Sequence, residues 1–260
     1  MKRTIGWVIL GMVAVIAIAV WQHAIEGPPA SGPPLARSPE PPQVPSAEPA
    51  IRYPVPRAPQ EEELPALPAS DSTLIDALAA LWGERAFEQL FHPGDLVRRI
   101  VVTIDNLPRR KVALRLMPLK PVPGEFRTTG KGENLAMSPD NAARYATHVQ
   151  LAKAIDSAKL VAVYHRFYPL FQQAYEELGY PGAYFNDRLV EVIDHLLAAP
   201  ELPAQAKLVR PKIFYRFDDP ELESSSAGHK ILMRIGNENA AVVKAKLREL
   251  RGELTRNGPR

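Results

Sequence analysis

Residues 157–179 read SAKLVAVYHRFYPLFQQAYEELG, and the fold class turns on them. Tyr164, Tyr168, Phe171 and Tyr175 fall at i, i+4, i+7 and i+11, a stripe along one face of a helix. Phe167, Leu170 and Leu178 widen that face. Ser157 is a capping residue type, and Gly179 stands where a helix stops. The spacing predicts a helix over 157–178. Its aromatic stripe suits core packing first and stacking on sugar rings second.

Helical patterns continue on both sides. Ser138-Pro139 is a cap followed by proline at the first helical position, opening a helix to about Ile155. Asn186 is placed to cap a third helix, to Ala199. Helices at about 226–235 and 238–253 follow, separated by Gly236-Asn237. Upstream, Asp71 or Ser72 can cap a helix carrying Leu74, Ile75, Leu78, Leu81 and Trp82, which Gly83 bends before Glu84–Phe91. Leu96, Ile100, Ile104 and Leu107 share a helical face, although the run IVVTI keeps a strand open as an alternative. Glu125–Thr129 suits a short strand, Lys207–Phe217 reads as extended, and Asp219-Pro220 begins a helical turn. The expected fold class is mainly α with a few short strands, in a single C-terminal domain over residues 70–254, followed by a tail at 255–260.

The chain ahead of that domain differs in kind. Residues 27–68 hold 14 of the chain's 27 prolines. Proline removes backbone donors and fixes φ, so residues 26–69 are expected to be a disordered, extended linker. Residues 5–20, IGWVILGMVAVIAIAV, contain no charge. Thr4 to Trp21 spans roughly 27 Å as a helix, close to a bilayer's hydrocarbon core. Residues 1–25 are therefore expected to be a cytoplasmic tip and a transmembrane anchor. The anchor presents Ile5, Trp7, Val8, Ile9, Leu10, Val13, Val15, Ile16, Ile18, Val20 and Trp21 to the lipid bilayer. Lys2 and Arg3 precede the run, which places the N-terminus in the cytoplasm and exports the rest. A cleaved signal peptide is the rival reading. Against it, the run exceeds the usual apolar region, and the triplet Ala17-Ile18-Ala19 lies inside it.

The net charge is +3 and there are no cysteines. The latter excludes disulfides, thiolate metal sites and a cysteine nucleophile. Residues 244–260 carry Lys244, Lys246, Arg248, Arg251, Arg256 and Arg260 against Glu249 and Glu253, so the basic excess lies in the C-terminal segment. Ile235-Gly236 with Ala240 gives only half of a helix–hairpin–helix motif, and no nucleic-acid partner is expected for an exported domain.

Four stretches together resemble a known family. They are FHPGDLVRRIVVTIDNLPRR (91–110), YHRFYPLFQQAYEELGYP (164–181), NDRLVEVIDHLL (186–197) and LVRPKIFYRFDDPELESSSAGHKILMRIG (208–236). The family, found mainly in proteobacteria, is known only as a domain of unknown function. The resemblance covers roughly residues 65–253. It implies a Gram-negative inner membrane with the C-terminal domain in the periplasm, and it carries no assigned activity.

The candidate lining of a binding cleft is Tyr164, His165, Arg166, Tyr168, Tyr215, Asp218 and Asp219. Glu191 and His195, at i and i+4, could chelate a metal, but no third ligand is marked. Asp218, Asp219, Glu221 and Glu223 cluster after Tyr215, as calcium or acid–base chemistry needs, but their spacing matches no calcium loop. There is no G-x-S-x-G and no complete phosphate loop. No catalytic residue, cofactor or metal is assigned. The expectation is a membrane-anchored periplasmic module that binds an envelope protein or peptidoglycan. The alternative is a tethered hydrolase using carboxylates.

Overall fold

A computed structural model describes residues 50–56, 63–154 and 156–256. The expected anchor and most of the proline-rich segment lie outside the described residues. Among the described residues no helix is long and apolar enough to cross a membrane. The helices are α1 (Asp71–Trp82), α2 (Glu84–Leu90), α3 (Leu96–Asn106), α4 (Ala146–Ala154), α5 (Ser157–Glu177), α6 (Phe185–Leu197), α7 (Pro220–Ser224), α8 (Ala227–Arg234) and α9 (Asn237–Leu254). Two antiparallel pairs of two-residue strands and four short 3-10 segments complete the described elements. The strand pairs are β1 (Thr128–Thr129) with β2 (Ala136–Met137), and β3 (Leu208–Val209) with β4 (Arg216–Phe217).

The aromatic stripe of α5 is core. Phe171 stacks on Phe185 of α6 at 6.0 Å, and Tyr175 meets the same ring at 5.3 Å. Pro169 lies within α5 and cannot donate to the carbonyl four residues back, yet the helix continues. Phe167, Leu170 and Phe171 are buried around it, and each is worth about 1.5–3 kcal/mol when fully buried, which offsets one missing bond. α3 packs on α5 and α6, and α9 lies across α4, α5 and α6. The IVVTI run is helical: Leu96, Val97, Ile100, Val101 and Ile104 make one buried face of α3. A smaller cluster of Phe126, Leu208, Phe217 and Met233 forms under the β3–β4 pair.

Several caps differ from expectation because tertiary partners compete for the same side chains. Asp156, not Ser157, caps α5, accepting from Lys159 N at 3.1 Å, and Ser157 Oγ donates to Glu249 instead. Tyr184 stands at the N-cap of α6, while Asn186 is fully buried inside its first turn. Asp71 caps α3 rather than its own helix. Its two carboxylate oxygens accept from the amides of Asp95 and Leu96, each at 2.8 Å, and Asp95 is left-handed at φ 56°. Ser138 does cap, but Pro139–Tyr145 is 3-10 and only then does α4 begin.

Residues ahead of position 70 also contact the core. Leu64 and Leu67 pack into the main core, as do Tyr53 and Val55 from the proline-rich segment. Extended backbone can join a fold when its few free amides find partners, and these do, as described below.

Gly228, in the first turn of α8, fixes a close approach. Its amide donates to Leu107 O at 2.9 Å, and Ala227 N donates to Arg109 O at 2.7 Å. A Cβ there would sit 2.4 Å from Leu196 Cδ2 and 3.2 Å from Leu107 O. Gly228→Val is therefore expected to lower the unfolding free energy by about 2 kcal/mol or more, measured by urea denaturation.

Candidate functional site

The contact at Gly228 holds residues 107–111 against the start of α8. On the other side stands the turn between β3 and β4. Arg210 stiffens this turn, with Nε donating to Ile213 O at 3.1 Å and its guanidinium lying 5.0 Å from the centre of the Tyr215 ring. Tyr215 in turn packs on Phe126 at 5.5 Å. Between the two walls lies a groove of about 830 Å³, lined by Arg109, Arg110, Lys111, Lys212, Arg216 and Lys230, with Glu223 as its one carboxylate. Pro211, Ile213 and Phe214 add apolar surface, and Ile213 is 65% exposed.

The groove floor holds charge away from water. Lys230 is buried, and its ammonium donates to Glu223 O at 3.0 Å and pairs with the Glu223 carboxylate at 3.5 Å. Burial pulls its pKa below the ordinary lysine range; Glu223 opposes that, and Arg234 and Arg110 add to it. Arg234 is 3% exposed, and burial brings its pKa down to about 10. Its Nη2 donates to Tyr215 O, and its guanidinium lies over the Phe217 ring at 5.5 Å. Arg234 therefore stays cationic at neutral pH.

The cleft residues named from sequence separate into two places. Tyr164 and Tyr168 belong to the main core. Tyr164 donates to Asn186 Oδ1 at 3.1 Å, and burial raises the pKa of both phenols. His165 is half-buried and its pKa is lowered by burial; Arg166 lies 5.1 Å from the Phe167 ring. Tyr215 instead belongs with the small cluster under β3–β4. Asp218 is exposed at the end of β4, and Asp219 caps α7 by accepting from Glu221 N at 2.8 Å. Glu223 accepts from Phe217 N, and Glu221 is exposed. The acidic cluster thus serves caps and local pairs.

Glu191 pairs with Arg188 at 3.2 Å. His195 Nε2 lies 2.8 Å from Ser226 Oγ, and its ring stacks on His229 at 4.1 Å. Burial, then His229 and Arg188, lower the pKa of His195. Ser226 is the cap of α8 and accepts from His229 N. Among the described residues no group of three or more His, Asp or Glu could hold a metal ion. Three basic residues of the C-terminal segment are also engaged: Lys246 with Glu249, Arg251 with Asp194, Arg256 with Glu253. The groove is the feature that sequence reading missed. Its one local signal was the consecutive Arg109-Arg110-Lys111.

Residues 96–251 match the model of a family described as Protein of unknown function (DUF3014). The chain belongs to that family. Every residue lining the groove falls inside the part of the chain that matches DUF3014. No curated protein and no solved structure matches the chain.

Proposed function

We propose that the chain is a membrane-anchored binding module of the cell envelope, and that the groove between residues 107–111 and the β3–β4 turn receives an acidic protein segment. The observation that carries this reading is the lining of six cationic side chains, of which Arg109 pairs with Asp105 and Lys230 with Glu223. Pro211, Ile213 and Phe214 favour a polypeptide with aliphatic residues among its acids over a purely saccharide chain. The apolar run at 5–20 and the proline-rich segment support a tethered placement in the periplasm. The hydrolase alternative gains nothing from the geometry, because Asp219 and Glu223 are committed to backbone amides and Asp218 and Glu221 lie exposed.

The test uses the full chain in lipid nanodiscs, with a labelled Glu/Leu-rich peptide and isolated peptidoglycan as separate probes. Arg110 and Lys212 are exposed, so reversing them leaves the core untouched. The double variant Arg110→Glu, Lys212→Glu is expected to weaken peptide binding at least tenfold. Wild-type binding should also fall as salt shortens the Debye length from about 10 Å at 0.1 M to about 3 Å at 1 M. Unchanged binding in the double variant, or retention of peptidoglycan alone, overturns the assignment.

A further inference from the structure

Residues 50–56 read AIRYPVP and lie along the start of α6, outside helix and strand and with a bend at Arg52 and Tyr53. Pro54 and Pro56 have no amide hydrogen, so this stretch offers few donors. Three of them are taken by side chains of the domain. Asp187 accepts from Arg52 N at 2.9 Å and from Tyr53 N at 2.8 Å, one carboxylate oxygen to each. Tyr184 Oη accepts from Val55 N at 2.9 Å. In the other direction Asn186 Nδ2 donates to Tyr53 O at 2.8 Å. Asn186 is fully buried, and Tyr164 donates to its Oδ1, which turns the amide so that its NH₂ faces the segment. Exposure alternates along it: Tyr53 and Val55 pack against the main core, and Arg52, Pro54 and Pro56 are exposed. The Tyr53 phenol also reaches Arg251, which Asp194 holds.

This is how a protein reads an extended peptide: fixed polar groups meet the backbone, and alternate side chains fill the surface. Here the reading groups are one carboxylate, one phenol and one buried amide, all set in or just before the first turn of α6 and backed by core packing. We propose that the ledge formed by Tyr184, Asn186 and Asp187 is a binding site for extended peptides of the pattern Tyr-Pro-aliphatic-Pro, and that residues 51–56 are its intramolecular ligand. Proline favours the arrangement, because a segment already held extended loses little conformational freedom on docking. The docked segment sets where the tether leaves the domain. Its release would free residues 51–56 from the surface of the domain. A competing peptide of the same pattern would therefore lengthen the tether. The site is separate from the cationic groove, so either proposal can fail without the other.

The experiment uses three full-length chains in nanodiscs: the unmodified chain, one with residues 51–56 replaced by a Gly-Ser run, and that chain with Asp187→Asn added. The probe is a fluorescein-labelled peptide, AIRYPVP. The replaced chain is expected to bind the peptide saturably. The unmodified chain should take up none at the same concentration, and Asp187→Asn should weaken binding at least tenfold. A companion measurement on the unmodified chain reads amide hydrogen exchange, in which Tyr53 and Val55 are expected to exchange at least tenfold more slowly than in full-length Asp187→Asn. The proposal is overturned if the replaced chain keeps its helical circular dichroism but ignores the peptide, or if Tyr53 and Val55 exchange at unprotected rates. Should the replaced chain not fold, the exchange measurement alone decides. Protection that rises with protein concentration would assign the site to a second copy of the chain and overturn the intramolecular reading.

Discussion

Asp105→Asn is expected to lower the unfolding free energy of the domain by about 3 kcal/mol, read as an earlier urea midpoint at unchanged slope. Asp105 is 3% exposed, near the end of α3. One oxygen accepts from Arg188 Nε at 3.1 Å, and the other from Arg109 Nη2 at 2.7 Å and Tyr180 Oη at 3.1 Å. Arg188 Nη2 also donates to the Asp105 carbonyl at 3.0 Å. A single carboxylate thus joins α3, α6 and the turn between α5 and α6. The side chain of Arg188 is only 19% exposed. Burial alone would pull its pKa down, and Asp105 and Glu191 more than restore it. Asparagine keeps the shape but removes the charge, and it turns an amide donor toward groups that are themselves donors. For a domain of this size the loss corresponds to roughly 6–12 °C in Tm. Arg109 is the control. Its side chain is 54% exposed, so Arg109→Gln should change stability by less than about 1 kcal/mol. If the two variants unfold at the same midpoint, the buried pair with Arg188 is not what holds these elements together.

This network shows why the fold was easier to read than the site. The aromatic and aliphatic periods of α5, α6 and α9 survive any choice of partners, because a helix face must be buried against something. The short polar residues beside those helices are different. Asp71, Ser157 and Asn186 each satisfy the local rule for a cap, and each has been taken by a partner from elsewhere in the chain. A hydrogen-bonding side chain goes to whichever unsatisfied group is buried nearest, and sequence spacing does not carry that information.

The groove was hidden for a related reason. Charge summed along the chain pointed to the C-terminal segment, where Lys246, Arg251 and Arg256 turn out to be paired. The cations that gather in space come from residues 109–111, 212, 216 and 230, and in sequence they are interleaved with acids that serve caps. The proline-rich segment misled in the opposite direction. Its composition disfavours helix and sheet, and residues 50–56 carry neither, although Leu67–Ala69 forms a 3-10 turn. It does not forbid docking, which needs only that Arg52, Tyr53 and Val55 find acceptors for their amides.

The second large effect is set by acid. His148, on α4, is 4% exposed, and neither ring nitrogen has a hydrogen-bond partner among the described residues. Burial lowers its pKa to about 4. The unfolded chain takes up this proton near pH 6.5, so between the two values the unfolded state binds more protons than the native one. Stability from His148 is therefore complete above about pH 6.5, and it drains away as pH falls toward 4. A shift of this size amounts to about 3 kcal/mol. His165 and His195 are displaced in the same direction, so the whole loss in acid will exceed the share of one residue. His148→Leu separates that share. It keeps an apolar side chain of similar bulk, removes two unsatisfied nitrogens and removes the titration. Urea unfolding at pH 7.5, 6 and 4.5 should show the variant at least as stable as wild type at the highest pH. Its advantage should grow by about 2.5 kcal/mol toward the lowest. Two curves that stay parallel over this range would mean that His148 gains its proton inside the fold, and that α4 and α9 open to water well before the rest of the core.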